Sequence, residues 1–391
     1  MPALPDALSE LHRTALLAIS EDRLDGAQQA LAALSAAEPV HAGMWMDLAM
    51  LYCAAGNAAA ADQLFADIER RFAPPPPILE VIARQRARGC AGVPPASELT
   101  LRLGRGSDSN VNQGASNPNF SLGSALGPVN LKLLPQYLPQ ADRFNEFSAA
   151  YLRELSPGGT VGVLQFQTRH YDRLSGYDYS SVSLGAEQPW RWGNWGLRAA
   201  GSTSLMTLGQ QLYLRKNQLQ LELAPPLPLP PHWQVRMAGI WSDTAYPRLG
   251  EFNAQSLEAR VALAYRKDGL WLQTSASAVL DKARGQRPGG DRSGMLAGAQ
   301  GRMNLSHGVL GEVEWQTQNW RGSQSYFPGL LDKRRVQKTS IFRVAAVFPL
   351  ALEHAVVLEF RNTRNKESIS LFDYRARTLQ LSWQWQPGKQ F

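Results

Sequence analysis

The sequence has no apolar run long enough to cross a membrane as a helix. The longest, such as VAAVFPLAL at 344–352, fall far short of the roughly 20 residues a spanning helix needs. No export signal is visible either: MPALPDALSELHR carries Pro2, Pro5 and Asp6 where a basic segment and an apolar segment would stand. Cysteine is nearly missing. Cys53 and Cys90 alone exclude a disulfide framework and a multi-cysteine zinc site, leaving either one bridge between them or two unpaired buried thiols. The six histidines are scattered without HExxH-type spacing, so no metal site is expected. Neither a GxSxG elbow nor a P-loop occurs, and GRGSDS at 104–109 lacks the third glycine and the following helix of a dinucleotide fingerprint. The expectation is a protein without a cofactor and without enzymatic activity.

What is present divides into two periods. Residues 1–95 are rich in Ala and Leu and read as an all-α domain. Trp45, Leu48, Ala49, Tyr52, Gly56, Ala61 and Phe65 fall at the spacings of a tetratricopeptide repeat (TPR), in which small residues let two antiparallel helices approach closely. Stepping back by the roughly 34-residue period reaches Ala27, Leu31 and Pro39, an earlier repeat. ILEVIARQRARG at 78–89 is the expected capping helix, and PPPP at 74–77 the corner before it. Of these, Trp45, Tyr52, Gly56, Ala61 and Phe65 are the candidate scaffold positions.

From about residue 96 to 391 the period becomes two. Leu99, Leu101 and Leu103 alternate, as do Phe147, Ala149 and Tyr151, and Leu219, Leu221 and Leu223. The pattern recurs to Leu379, Leu381, Trp383 and Trp385, and with TVGVLQFQTRHY at 160–171 it marks fourteen strands. The residues between the apolar ones are Gln, Glu, Arg and Ser, charges in mid-strand that a transmembrane barrel turns into its lumen. Short turns at 156–159, 193–194, 267–269 and 307–308 alternate with longer loops at 172–178, 282–292, 320–335 and 364–373. That asymmetry belongs to outer-membrane barrels. Trp190, Trp192, Trp195, Trp233, Trp271, Trp383 and Trp385 flank the short turns or the chain end, while Tyr171, Tyr177, Tyr179, Trp241 and Trp320 mark the opposite ends, as two interfacial girdles would. The expected fold is an α-helical, TPR-like periplasmic domain followed by an antiparallel all-β barrel of about fourteen strands in a Gram-negative outer membrane. An outer-membrane address requires export, so the missing signal is assigned to a longer precursor.

One stretch stands apart. After LTLRL comes GRGSDSNVNQG, and then residues 113–142 show no strand period. A loop of that length is a candidate plug. Continuing the alternation through Val111 turns Asp108, Asn110 and Asn112 toward the lumen, where they would meet the barrel wall or a passing molecule. The alternative is a hydrogen-bonded seam that shapes the first loop, because Asp and Asn are ordinary turn formers. N-terminal helical repeats, LRLGRGSDSNVNQG at the first strand and a C-terminal barrel of this length together resemble the surface lipoprotein assembly modifier (Slam) family. That resemblance implies movement of a periplasmic client protein, lipidated or soluble, to the cell surface. Here the helical portion is short, and Arg105-Gly106-Ser107 stands where the family commonly has an aromatic.

Charge is split between the halves. Residues 1–95 carry 7 Lys+Arg against 11 Asp+Glu, and the remainder 33 against 22. A basic lumen or rim would favour an acidic client and anionic lipid headgroups. The basic residues are spread over strands and loops, which argues against nucleic acid. Expected partners are the client, outer-membrane lipid and the barrel-assembly machinery for insertion. Two alternatives stand: export of an anionic polysaccharide, and a barrel-embedded lipase or acyltransferase using His170 or His354.

Overall fold

The computed structural model describes residues 42–54, 57–72, 74, 76–87, 97–122, 129–156 and 158–387, and the chain divides into two compact units, Met1–Ala96 and Ser97–Phe391. In the first, α1 (Ala42–Ala54), α2 (Ala58–Phe72) and α3 (Pro76–Ala87) follow one another through short connections. Asn57 accepts the Ala60 amide at 3.1 Å on its Oδ1 and so caps the start of α2. Pro76 and Pro77 open α3, where a missing N–H costs nothing.

Ala49 and Ala61, both fully buried, let α1 and α2 pack closely, and Trp45, Leu48, Leu64, Phe65, Ile68 and Ile82 fill the core around them. Tyr52 packs against this cluster, whereas Gly56, Ala27, Leu31 and Pro39 lie outside the described residues. Arg86 of α3 reaches Asp62 at 2.6 Å and Glu69 at 2.8 Å on α2. Cys53 is buried in the core and disulfide-bonded, which decides between the two cysteine expectations for that residue; Cys90 lies outside the described residues.

The second unit opens with β1 (Ser97–Asp108), and a hairpin of β2 (Asn119–Leu122) and β3 (Val129–Lys132) follows it. Then come β4 (Asp142–Glu154), β5 (Val161–Tyr171), β6 (Tyr179–Trp192), β7 (Trp195–Leu208) and β8 (Gln211–Ala224). Next are β9 (Trp233–Ala245), β10 (Ala254–Lys267), β11 (Leu270–Ala283) and β12 (Arg292–Asn304). The long hairpin β13 (Leu310–Phe327) and β14 (Leu331–Ala351) precedes β15 (His354–Glu367) and β16 (Tyr374–Trp385). Fourteen of these strands, all but β2 and β3, close into one antiparallel barrel in which β1 pairs with both β4 and β16. Each contains one of the fourteen alternating runs. Closure leaves no barrel edge unpaired, as a membrane requires.

Large apolar side chains stand exposed at every second position of the exterior: Leu103 on β1, Leu184 on β6, Leu219 and Leu221 on β8, Leu257 on β10, Leu280 on β11 and Leu379 and Leu381 on β16. The lumenal positions between them are largely polar. An apolar outer belt around a polar interior is a transmembrane barrel of the outer-membrane type.

Three expectations are corrected here. Trp190, Trp192, Trp195, Trp233 and Trp383 are exposed near the rim that holds Ser97 and Trp385, called the proximal rim. At the distal rim only Trp241 of the expected girdle stands out on the exterior. Tyr171 and Tyr179 share the phase of Arg169 and face the lumen with it, and Trp320 lies over Gly294 on the lumenal phase of β12. Position near a strand end does not set the face; phase does. The loop expected at 320–335 shrinks to 328–330, because β13 and β14 continue as a hairpin above the belt. Finally, residues 113–142 are not aperiodic throughout: they contain the β2–β3 hairpin, a separate sheet whose β3 is exposed along its length. An exposed, separate sheet gives no support to a plug packed into the barrel wall.

Candidate functional site

The regular alternation of β1 stops at Asp108, and Asn110 and Asn112 lie beyond it, outside the period of the strand. The physical reason is that their carboxamides satisfy the backbone of the turning chain. Asn110, 2% exposed, donates from Nδ2 to the Gly114 carbonyl at 3.0 Å and to the Arg375 carbonyl at 2.9 Å. Its Oδ1 accepts the Gly114 amide at 2.7 Å. Asn112 donates to the carbonyls of Gln136 and Leu138 at 3.0 and 2.9 Å and accepts the Gln140 amide at 3.0 Å. Asp108 accepts the Asn110 amide at 2.9 Å. The motif therefore clasps the two ends of the first loop to each other and to the start of β16. Only an amide supplies two donors and an acceptor on one short side chain.

Close backbone approach completes the clasp. A Cβ on Gly114 would overlap the Leu138 carbonyl, so a larger residue cannot occupy this crossing. Ser109 extends the seam, donating its amide to Arg377 at 3.0 Å and accepting the Arg377 amide on Oγ at 2.8 Å. Nearby, Arg105 on the outer face holds Asp172 at 2.5 Å, and this guanidinium keeps the Asp172 carboxyl below its usual range.

Inside the barrel, charges occur in bridged sets. Glu146 on β4 takes Arg169 of β5 at 2.6 Å and Gln380 of β16 at 3.1 Å. The Arg169 guanidinium lies 3.8 Å from the Phe144 ring, and Gly106 leaves room for that ring. Arg343 on β14 joins Glu312 of β13 at 3.1 Å to Glu359 of β15 at 2.8 Å. Arg198 on β7 joins Glu187 of β6 at 3.1 Å to Glu222 of β8 at 3.0 Å. These lumenal arginines are thus paired, and the basic-lumen expectation does not hold for them. The mid-strand charges in the sequence signalled a lumen; their partners, one strand away in space, left no local sign.

Toward the distal rim a cavity of about 300 Å³ is lined by Tyr213, Tyr246, Trp320, Arg287, Arg292 and Asp281, among others. Asp281 holds Arg287 at 2.8 Å and Arg292 at 2.6 Å, and Arg292 lies 5.0 Å from the centre of the Trp320 ring.

Of the two histidines weighed for catalysis, His354 stacks on Trp383 at 5.5 Å. His170 lies between Thr168 Oγ1 at 3.4 Å and Asp178 Oδ2 at 3.1 Å. Asp178 also accepts the Tyr171 amide at 2.8 Å and Thr168 shares a hydrogen bond with Ser180 at 2.8 Å, so this row ties the second loop to its strands.

No family model and no curated protein matches the sequence. Among solved structures, the barrel is similar to an anion-selective porin from Comamonas acidovorans, at 10% identity and a TM-score of 0.35 over 74% of this chain and 100% of that one. OmpT, an outer membrane protein of Vibrio cholerae, aligns at 6% identity and a TM-score of 0.40 over 75% of this chain and 100% of its own. Acinetobacter baumannii OccAB3 aligns at 7% identity and a TM-score of 0.37 over 74% of this chain and 98% of its own.

Proposed function

We propose that the protein is an outer-membrane translocator that moves a periplasmic client protein, lipidated or soluble, to the cell surface, as a member of the Slam family. The observation that carries the reading is a closed fourteen-stranded barrel with a polar, charge-bridged lumen on the same chain as a packed helical unit. The helical unit reads as TPR-like and periplasmic, a surface for the client. The distal rim is then extracellular. A disulfide at Cys53 suits an oxidising compartment. Lumen width grows with strand number: about eight strands leave an interior filled by side chains, and about sixteen leave an aqueous channel. Fourteen suit an extended segment better than a folded domain. In this reading Asp108, Asn110 and Asn112 hold the first loop in the shape the client meets.

The test starts from the neighbouring gene: a small secreted or lipidated product would be the expected client, and its surface display would be measured. Display should need this protein and should fall when residues 1–95 are removed at matched barrel levels. Normal display in the complete absence of the protein would sink the proposal.

A second reading, export of an anionic polysaccharide, is favoured by the cavity in which Arg287 and Arg292 stand with Tyr213, Tyr246 and Trp320. Aromatic faces and guanidinium groups suit sugar rings and their acidic substituents. Loss of a surface polymer, with client display intact, would favour it over the first.

A further inference from the structure

On the exterior of β13 to β16 the apolar belt, with Phe342, Val344, Leu358 and Leu379 exposed, gives way to cations at the distal end of the strands, with Val336 exposed among them. Arg321, Lys338, Arg364, Lys366, Arg375 and Arg377 are all exposed there. Each is in the outward phase of its strand: Lys338 with Phe342, Arg364 and Lys366 with Leu358, Arg375 and Arg377 with Leu379.

The register makes this arrangement costly. Lys338 lies directly opposite Lys366, and Arg364 directly opposite Arg375. Like charges facing each other across a strand pair destabilise a sheet. Glu312, Glu359 and Glu367 of the same strands offer no relief, because they face the lumen, where Arg343, Arg361 and Arg335 take them, and Asp332 at the hairpin tip accepts the Gly329 amide. The same strands that pair Glu312, Glu359 and Glu367 inside leave these six cations outside with no ion pair among the described residues.

We infer that this face binds the phosphorylated headgroup of an outer-leaflet glycolipid, with the phosphates across the two like-charge pairs and the acyl chains on the apolar belt below. Position selects a lipid over a soluble anion: the cations begin where the belt ends, which is where headgroups lie beside a membrane-spanning wall. Two facing pairs suit a headgroup with more than one phosphate, since each phosphate accepts from several donors. The assignment rests on the membrane placement of the barrel and not on what passes through it, so client display can fail while lipid binding holds.

The test uses the full chain, purified in detergent and exposed to phosphatidylcholine vesicles carrying either diphosphoryl lipid A or its dephosphorylated form. The wild type should retain the phosphorylated lipid more than about tenfold better, and the preference should fall as salt is raised. Lys338→Gln/Arg364→Gln/Lys366→Gln/Arg375→Gln should lose the preference and unfold at a higher temperature in lipid-free detergent, because the facing charges are gone. A charge-conserving Lys338→Arg/Lys366→Arg protein and a proximal-rim Arg153→Gln/Lys267→Gln protein should both keep the preference. Equal retention of the two lipids by the wild type, or an intact preference in the quadruple variant, overturns the inference. Equal protection by inorganic pyrophosphate alone makes the surface a general anion patch and overturns the lipid assignment. Displacement of the lipid by an acidic client protein at lower concentration than by pyrophosphate makes it a client surface instead.

Discussion

The Asn110 side chain donates to the backbone carbonyl of Arg375, 2.9 Å away in space and 265 residues along the chain. That one bond ties the end of the first barrel strand to the start of the last. Together with its two bonds to Gly114 it leaves Asn110 with no room for a shorter or apolar replacement.

Asn110→Ala should therefore loosen the base of the first loop. Several buried polar groups would lose their partners at about 1–3 kcal/mol each. Limited proteolysis of the folded barrel in detergent is the measurement, with cleavage between 113 and 141 expected to rise sharply. Gly114→Ala should act in the same direction through the Leu138 crossing. Unchanged cleavage in both would remove the clasp assignment.

The lumenal bridges predict ion selectivity. Arg343→Gln leaves Glu312 and Glu359 without their shared cation, so the channel in planar bilayers should shift toward cations in its reversal potential. The fold should lose about 1–3 kcal/mol, less than for a fully buried pair because these groups are partly wet. A shift toward anions would contradict the placement of these residues.

The hairpin prediction is one of no effect. Removing residues 119–132 should leave conductance as in the wild type, since β3 is exposed and neither hairpin strand belongs to the barrel. A several-fold rise would show that the hairpin obstructs the pore.

Sidedness follows from the turns. A cysteine replacing Gly285, between β11 and β12, should be labelled on intact cells, and one replacing Asn194, between β6 and β7, only after permeabilisation. Asn194 is preferred to Gly193, whose φ of 56° disfavours a side chain. Equal labelling of both sites on intact cells reverses or abolishes the assigned topology.

The Asp172 carboxyl sets a pH dependence of known sign. Arg105 depresses its folded-state pKa below the unfolded value, so the pair stabilises the distal rim above the ordinary carboxylate range, near 3.9. That contribution disappears as pH falls through the depressed value. Thermal midpoints of wild type and Asp172→Asn should differ slightly at neutral pH and low salt and converge in strong acid. A gap that widens on acidification would refute the linkage.

Sequence alone determined the strands. Each is a local pattern of period two, such as Leu219, Leu221 and Leu223 beside Gln218, Gln220 and Glu222, and lipid outside with water inside imposes that pattern on every membrane-spanning strand. The number of such runs, fourteen, was legible for the same reason. Tertiary structure decided what depends on phase and on neighbours far along the chain. Tyr171, Tyr179 and Trp320 sit at strand ends, as a girdle would, yet face inward because side-chain direction alternates with every residue. Asn110 and Asn112 were visible as a motif, but their partners on β16 and across the first loop appear only when the barrel closes. Lys338 and Lys366 are 28 residues apart in the chain and become opposite neighbours only through the register of β14 on β15. A strand pattern is written within a few consecutive residues, whereas a facing pair is created by closure and register, which no short stretch of chain contains.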